Sequence, residues 1–168
     1  QKPAMVPVKA DQIITYGMST HKNKRPYQED RFTHFVFDNK SEFFAVYDGH
    51  GGDKTSTYLQ KNMHSSFEQC LNDKQNVQYA FECAFDVSEK YALSHFSDGS
   101  TVVAIYIDNR GILHCAWVGD SRAVVEKNGV VGLTTDDHKP DVPAEKRRIE
   151  NAGGTIMHYG VWRVNGLA

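Results

Sequence analysis

Two short clusters in this chain carry side chains suited to chemistry. Tyr47-Asp48-Gly49-His50-Gly51-Gly52 puts a carboxylate, an imidazole and three glycines directly after the apolar run Glu42-Phe43-Phe44-Ala45-Val46. Arg25-Pro26-Tyr27-Gln28-Glu29-Asp30 puts a guanidinium and two carboxylates directly before another strand-like run, Arg31 to Phe37. Glycine at a strand mouth lets backbone carbonyls and amides come close to a ligand. If the two strands are neighbours, Glu29, Asp30 and Asp48 converge. Two like charges about 4 Å apart repel by roughly 4 kcal/mol at an effective dielectric near 20, so such a cluster calls for protons or a divalent cation. Hard oxygen donors without thiolate select Mg²⁺ or Mn²⁺. Asp48, the Gly49 carbonyl and a water-bridged Glu29 form a sensible set, with Asp48 able to bridge two ions and so activate a water between them. Arg25 matches the fork of phosphate oxygens, and His50 is of the side-chain type suited to act as general acid for a leaving alkoxide. Plainer readings stand beside these: solvated acids in a surface turn, Arg25 as an ion-pair partner of Glu29, His50 as a cap on the following helix. Asp120, in Gly119-Asp120-Ser121-Arg122, reads most simply as a turn residue.

The elements that would position these groups follow from periodicity. Ile13 to Ser19, Arg31 to Phe37 and Glu42 to Asp48 are strand candidates, with Asp38 to Ser41 as a hairpin turn. Leu59, Met63, Phe67 and Leu71 form one helical stripe. Val77, Phe81, Ala84, Phe85 and Ser88 form another, with Asn76 as its N-cap. From Gly99 the pattern returns to strands: Ser100 to Ile107, Ile112 to Val118, Ser121 to Lys127 and, across the hairpin signal Asn128-Gly129, Val130 to Thr134. A helix starts near Asp141-Val142-Pro143 and stops at Gly153-Gly154, and Val161 to Ala168 reads as a final strand. Strands grouped around consecutive helices predict an α+β fold rather than a doubly wound parallel sheet. The first twelve residues read as a flexible lead-in, with residues 13–168 as one domain.

Composition narrows the function classes. At 168 residues with a formal net charge of −2, the chain has no basic block for nucleic acid or an anionic membrane. It has no apolar run of membrane-spanning length. Cys70, Cys83 and Cys115 lie in no CxxC pattern and read as reduced thiols of an intracellular protein, in cytoplasm or nucleus.

Taken together, the clusters resemble the metal-dependent serine/threonine protein phosphatases of type 2C. The matching motifs run in family order: Arg25-x-x-x-Glu29-Asp30, Asp48-Gly49-His50-Gly51-Gly52, Gly99-Ser100-Thr101, Gly119-Asp120-Ser121-Arg122, Asp137-His138-Lys139-Pro140, Arg148-Ile149 with Gly153-Gly154, and Arg163-Val164-Asn165-Gly166. The resemblance implies an antiparallel β-sandwich flanked by helices. It implies two Mg²⁺ or Mn²⁺ ions, with a weaker third, held by Glu29, Asp30, Asp48, Gly49 and Asp120. Arg25 would hold the phosphate, and His50 would be the acid. The substrate would be a phosphorylated protein, hydrolysed at phosphoserine or phosphothreonine by metal-activated water. The family's domain is longer, so the chain reads as its N-terminal portion, weak or inactive alone and able to dimerise or swap through exposed strand edges. A catalytically dead scaffold and a metal-binding regulatory module are the alternatives.

Overall fold

The structure, a computed structural model, describes residues 4–7 and 14–165. Its centre is a five-stranded antiparallel sheet. Strands β1 (Ala4–Pro7), β2 (Arg31–Val36), β3 (Glu42–Tyr47), β6 (Val102–Ile107) and β7 (Ile112–Val118) lie in the order β1-β7-β6-β3-β2. The period-two pattern of β3 sets its faces: Phe43, Ala45 and Tyr47 are buried, while Phe44 and Val46 look the other way. Partnered residues share a face, so the register Phe43↔Tyr106 and Ala45↔Ala104 carries that buried face across to β6.

Two long antiparallel helices cover it, α1 (Lys54–Lys74) and α2 (Val77–His95). The expected stripe on α1 is the buried one, with Leu59, Met63 and Phe67 in the core and Leu71 packed at its margin. Phe67 sits among the rings of Phe81, Tyr106 and Phe43, at centroid distances of 4.6, 4.9 and 5.4 Å. Gln60 stitches α1 to β2: its amide donates to the Phe32 carbonyl (3.0 Å), and its own carbonyl accepts from the Thr33 hydroxyl (3.0 Å). Asn76 caps α2 as the sequence predicts, its side chain accepting from the Tyr79 amide at 2.9 Å.

The opposite sheet face carries Val103, Leu113 and Cys115, and Ala123, Val125 and Leu133 pack onto it from the region of the β8–β9 hairpin (Val124–Lys127 and Val130–Thr134). Asn128 and Gly129 both take positive φ at the hairpin tip, the conformation that matches strand twist in a two-residue turn. Helix α3 (Pro143–Asn151) begins with proline in its first turn and closes on Gly153 and Gly154, whose amides reach back to the Glu150 and Ile149 carbonyls. A short hairpin, β10 (Ile156–His158) with β11 (Trp162–Val164), ends the described chain. The tail strand expected over 161–168 is therefore shorter, and residues 166–168 lie outside the described residues.

Three expectations change. Residues 14–19 are not a strand; Ile13 lies outside the described residues. Their apolar alternation serves another contact, because Tyr16 lays its ring against His34 (3.9 Å) and Phe44 (5.8 Å) on the sheet's face instead of extending its edge. Ala4–Pro7, inside the segment read as flexible, pairs with β7 in the register Ala4↔Cys115 to Pro7↔Ile112. Cys70 and Cys83 are bonded rather than reduced: the α1–α2 hairpin brings their Cα atoms to 6.1 Å, within disulfide range. Cys115 is free and buried. Nothing in the spacing of those cysteines signals the bond, since the helix packing makes it. Among the described residues no helix is long and apolar enough to cross a membrane.

Candidate active site

The site is built where β3 ends. Beyond Tyr47 the chain leaves the sheet through Asp48 and forms β4 (Gly49–His50), which pairs with β5 (Gly99–Ser100) in the register Gly49↔Ser100 and His50↔Gly99. Thr101 fixes Asp48 from both sides of its peptide: its hydroxyl accepts from the Asp48 amide (3.2 Å), and its amide donates to the Asp48 carbonyl (2.9 Å). The same hydroxyl bonds to Ser121, and the Thr101 methyl packs where a Cβ on Gly119 would stand. One threonine thus sets both Asp48 and the turn that carries Asp120. That turn is also tied to His138, whose Nδ1 accepts from the Gly119 amide (3.3 Å) and whose own amide donates to the Gly119 carbonyl (3.0 Å).

Arg25, Glu29 and Asp30 lie on the irregular segment that precedes β2. Arg31 anchors its end, donating to the carbonyls of Gln28 (2.8 Å) and Asp30 (2.9 Å) and pairing with Asp53 at the start of α1 (2.6 Å). The Ser56 hydroxyl adds a bond to the Glu29 carbonyl at 2.6 Å. Gly49 passes so close to that point that a Cβ there would lie 2.6 Å from the Glu29 carbonyl oxygen. The two clusters read from the sequence are therefore held against each other by backbone contacts at the root of α1.

The first turn of α1 is capped from a distance. Asp53 makes no side-chain cap; instead the Asp98 carboxylate accepts from the Lys54 amide (2.8 Å), the Thr55 amide (3.2 Å) and the Thr55 hydroxyl (2.7 Å). Burial pushes the Asp98 carboxyl up, but these hydrogen bonds outweigh it and leave it below its ordinary value. An acid held low in the fold stabilises above its unfolded pKa, near 3.9, and that contribution is lost as pH falls through the folded value. Acid denaturation followed by circular dichroism should show this component below about pH 4 in the native chain, and Asp98→Asn should lack it. Because Asp98 supplies the cap, the reading of His50 as the cap is not what forms. The His50 ring lies over Gly99, where a Cβ would stand 2.4 Å from Nε2. Gly99→Ala should therefore leave the thermal midpoint near that of the parent while turning the imidazole out of place. The check is a changed His50 imidazole signal by NMR at an unchanged melt.

These elements enclose two adjoining clefts. One, of about 1020 Å³, is lined by Arg25, Glu29, Asp30, Asp48, Gly49 and His50, with Arg163 from β11. The other, of about 730 Å³, is lined by Asp48, His50, Thr101, Asp120, His138 and Trp162 among others. Asp48 and His50 stand at their junction. Burial raises the Asp48 carboxyl above its usual range, and repulsion from Asp30 and Asp120 adds to that against the opposing pull of His50 and Arg25. Among the described residues no ion pair joins Arg25 to Glu29. No three histidine, cysteine or carboxylate groups there are gathered closely enough to hold a metal. In kind, though, the cleft donors are hard oxygens without a thiolate, the set that suits Mg²⁺ or Mn²⁺.

Comparison with known proteins decides the family. The profile "Protein phosphatase 2C" matches residues 17–168. This chain belongs to the protein phosphatase 2C family. It is 36% identical over 165 residues to "Probable protein phosphatase 2C 11" of Arabidopsis thaliana, covering 92% of this chain and 43% of that protein. It is 35% identical over 167 residues to "Probable protein phosphatase 2C 55" of Oryza sativa subsp. japonica, covering 94% and 44%. The chain thus spans less than half the length of these curated relatives. Among solved structures, a Caenorhabditis elegans sex determining protein superposes with a TM-score of 0.75 at 27% identity, over 85% of this chain and 39% of that one. A serine-threonine phosphatase 2C from Toxoplasma gondii gives 0.63 at 26%, over 80% and 53%. Members of the protein phosphatase 2C family are metal-dependent hydrolases, and the antiparallel fold expected from the motifs is the one found.

Two supports carry no signal in the sequence: Arg31 and Asp98 act through contacts between segments far apart in the chain. Thr101 stands in the Gly99-Ser100-Thr101 motif, but its hold on Asp48 is not written there. Arg163 was visible only as part of a late motif; the cleft explains why a second guanidinium stands there.

Proposed function

We propose that this chain carries the phosphate-binding and proton-donating part of a site that hydrolyses phosphoserine and phosphothreonine in proteins. The observation that carries the reading is the meeting of two clefts at Asp48 and His50, with Arg25 lining the same wall, in a chain of the protein phosphatase 2C family. Arg25 would grip two phosphate oxygens with its planar fork. Water would attack phosphorus as the bond to the seryl or threonyl oxygen breaks. His50, protonated, would pass its proton to that leaving oxygen, giving the free hydroxyl and inorganic phosphate. Asp48, Asp30 and Glu29, with the Gly49 carbonyl, would hold two Mg²⁺ or Mn²⁺ ions, and Asp120 would help hold a third. When bound, such ions would supply Lewis-acid polarisation of phosphate and water. Thr101 fixes the Asp48 backbone and Arg31 the Asp30 carbonyl, so binding would draw the carboxylate side chains together from a backbone already set.

The test couples two ligands. Mn²⁺ and a phosphate analogue such as tungstate should each bind more tightly in the presence of the other, by calorimetry. Arg25→Ala should lose the tungstate response and keep Mn²⁺ binding. Phosphothreonine-peptide hydrolysis, where measured, should require Mn²⁺ and stop with EDTA. Mn²⁺ binding indifferent to tungstate, without hydrolysis, would mark a metal-binding module and overturn the reading.

A further inference from the structure

A third hollow opens beside His50. It has a volume of about 360 Å³ and lies between α1, the end of α2 and the β5–β6 edge, lined by Leu59, Phe85, Leu93, Phe96 and Val118, with His50 at one end. Its lining is unlike that of the carboxylate-rich cleft beyond His50, and it has room for a large side chain. Leu93 is 74% exposed and Val118 49%, so apolar surface faces solvent at the margin of a polar site. Glu89 stands four residues before Leu93, hence on the same helix face, and among the described residues it makes no ion pair.

From this geometry we infer that the hollow is a specificity pocket for the substrate, taking a leucine- or phenylalanine-sized residue close in sequence to the phosphorylated one. Three features commit it to that occupant. The hollow and the proposed phosphate site share His50 as a lining residue. An extended peptide advances about 3.4 Å per residue, so a side chain two positions from the phosphoresidue reaches past a single imidazole. Glu89 gives the rim a negative charge that complements a basic residue further along the same peptide. The inference rests on the phosphatase reading, and it adds the substrate's sequence preference: an apolar neighbour with a basic residue beyond it.

The test uses fluorescein-labelled phosphothreonine peptides of one frame, with leucine two positions before the phosphoresidue, two positions after it, or serine at both places. Binding is read by fluorescence anisotropy in MnCl₂, on the native chain and on Leu93→Asp. Leu93 is solvent-facing, so this variant should keep the parent's thermal midpoint. One of the leucine peptides should bind about tenfold more tightly than the serine peptide, the scale of filling an apolar pocket, and Leu93→Asp should erase the difference. Equal binding of all three peptides, or a preference that survives Leu93→Asp, overturns the inference. The unphosphorylated leucine peptide separates the two readings. A leucine preference that ignores phosphate and Mn²⁺ leaves the pocket standing and removes the phosphatase reading. Phosphate-dependent binding blind to leucine does the reverse.

Discussion

Asp48→Asn should weaken Mn²⁺ binding by roughly 100-fold or more while making the metal-free protein slightly more stable. The two effects have one origin. Burial, with repulsion from Asp30 and Asp120, raises the Asp48 carboxyl above its usual range. The sign follows: an acid whose folded pKa is raised opposes folding once ionised, and the penalty disappears as pH falls through that pKa. Asparagine removes the charge and the penalty together. It also removes the proposed ligand at the junction of both clefts; losing even an outer partner of a metal ligand costs about 10- to 100-fold in affinity. Calorimetric titration with MnCl₂ and thermal melts in EDTA check the two halves separately. Parallel loss of stability and affinity would mean that Asp48 is a structural residue, held by Thr101 for the sake of the fold.

Phe67→Ala should be the most damaging single change in the core, at about 3–5 kcal/mol. Phe67 is fully buried on α1 and touches rings from α2, β3 and β6 at once. Its removal leaves a cavity shared by three elements, none of which can close it alone. Chemical denaturation should show a lower midpoint with an unchanged slope, since the surface exposed on unfolding hardly alters. An effect under 1 kcal/mol would show that the helices collapse onto the sheet without that ring. By comparison, a lost helix cap such as Asp98 costs about 0.5–2 kcal/mol.

What could be read from the residues alone divides along a physical line. The β2–β3 hairpin, the stripes of α1 and α2, the Asn76 cap and the Asn128-Gly129 turn depend on neighbours within a few positions, and each formed where its pattern pointed. Residues 14–19 misled because alternation reports two-sidedness, not pairing: Tyr16 found its partners on a sheet face. Of the proposed site, Asp48, His50 and Arg25 were legible, as groups whose chemistry is poorly suited to packing. Its supports were not. Asp98 caps a helix that begins 44 residues earlier, and Arg31 reaches Asp53 across 22. Such contacts exist only after the chain has folded, so no local signal announces them.

The Cys70–Cys83 bond has a consequence for where this molecule is sturdy. It closes a short loop of sequence separation 13 across the far end of the helical hairpin, distant from the end where Asp98 grips Lys54 and Thr55. A covalent tie over a span of about 15 residues restrains the unfolded chain by roughly 3 kcal/mol in the chain-entropy account. Glutathione or thioredoxin would withdraw that reinforcement without touching the clefts around Asp48 and His50. The helical layer's resilience would then follow the redox climate of its surroundings, while the rim at Asp98 kept its own anchorage.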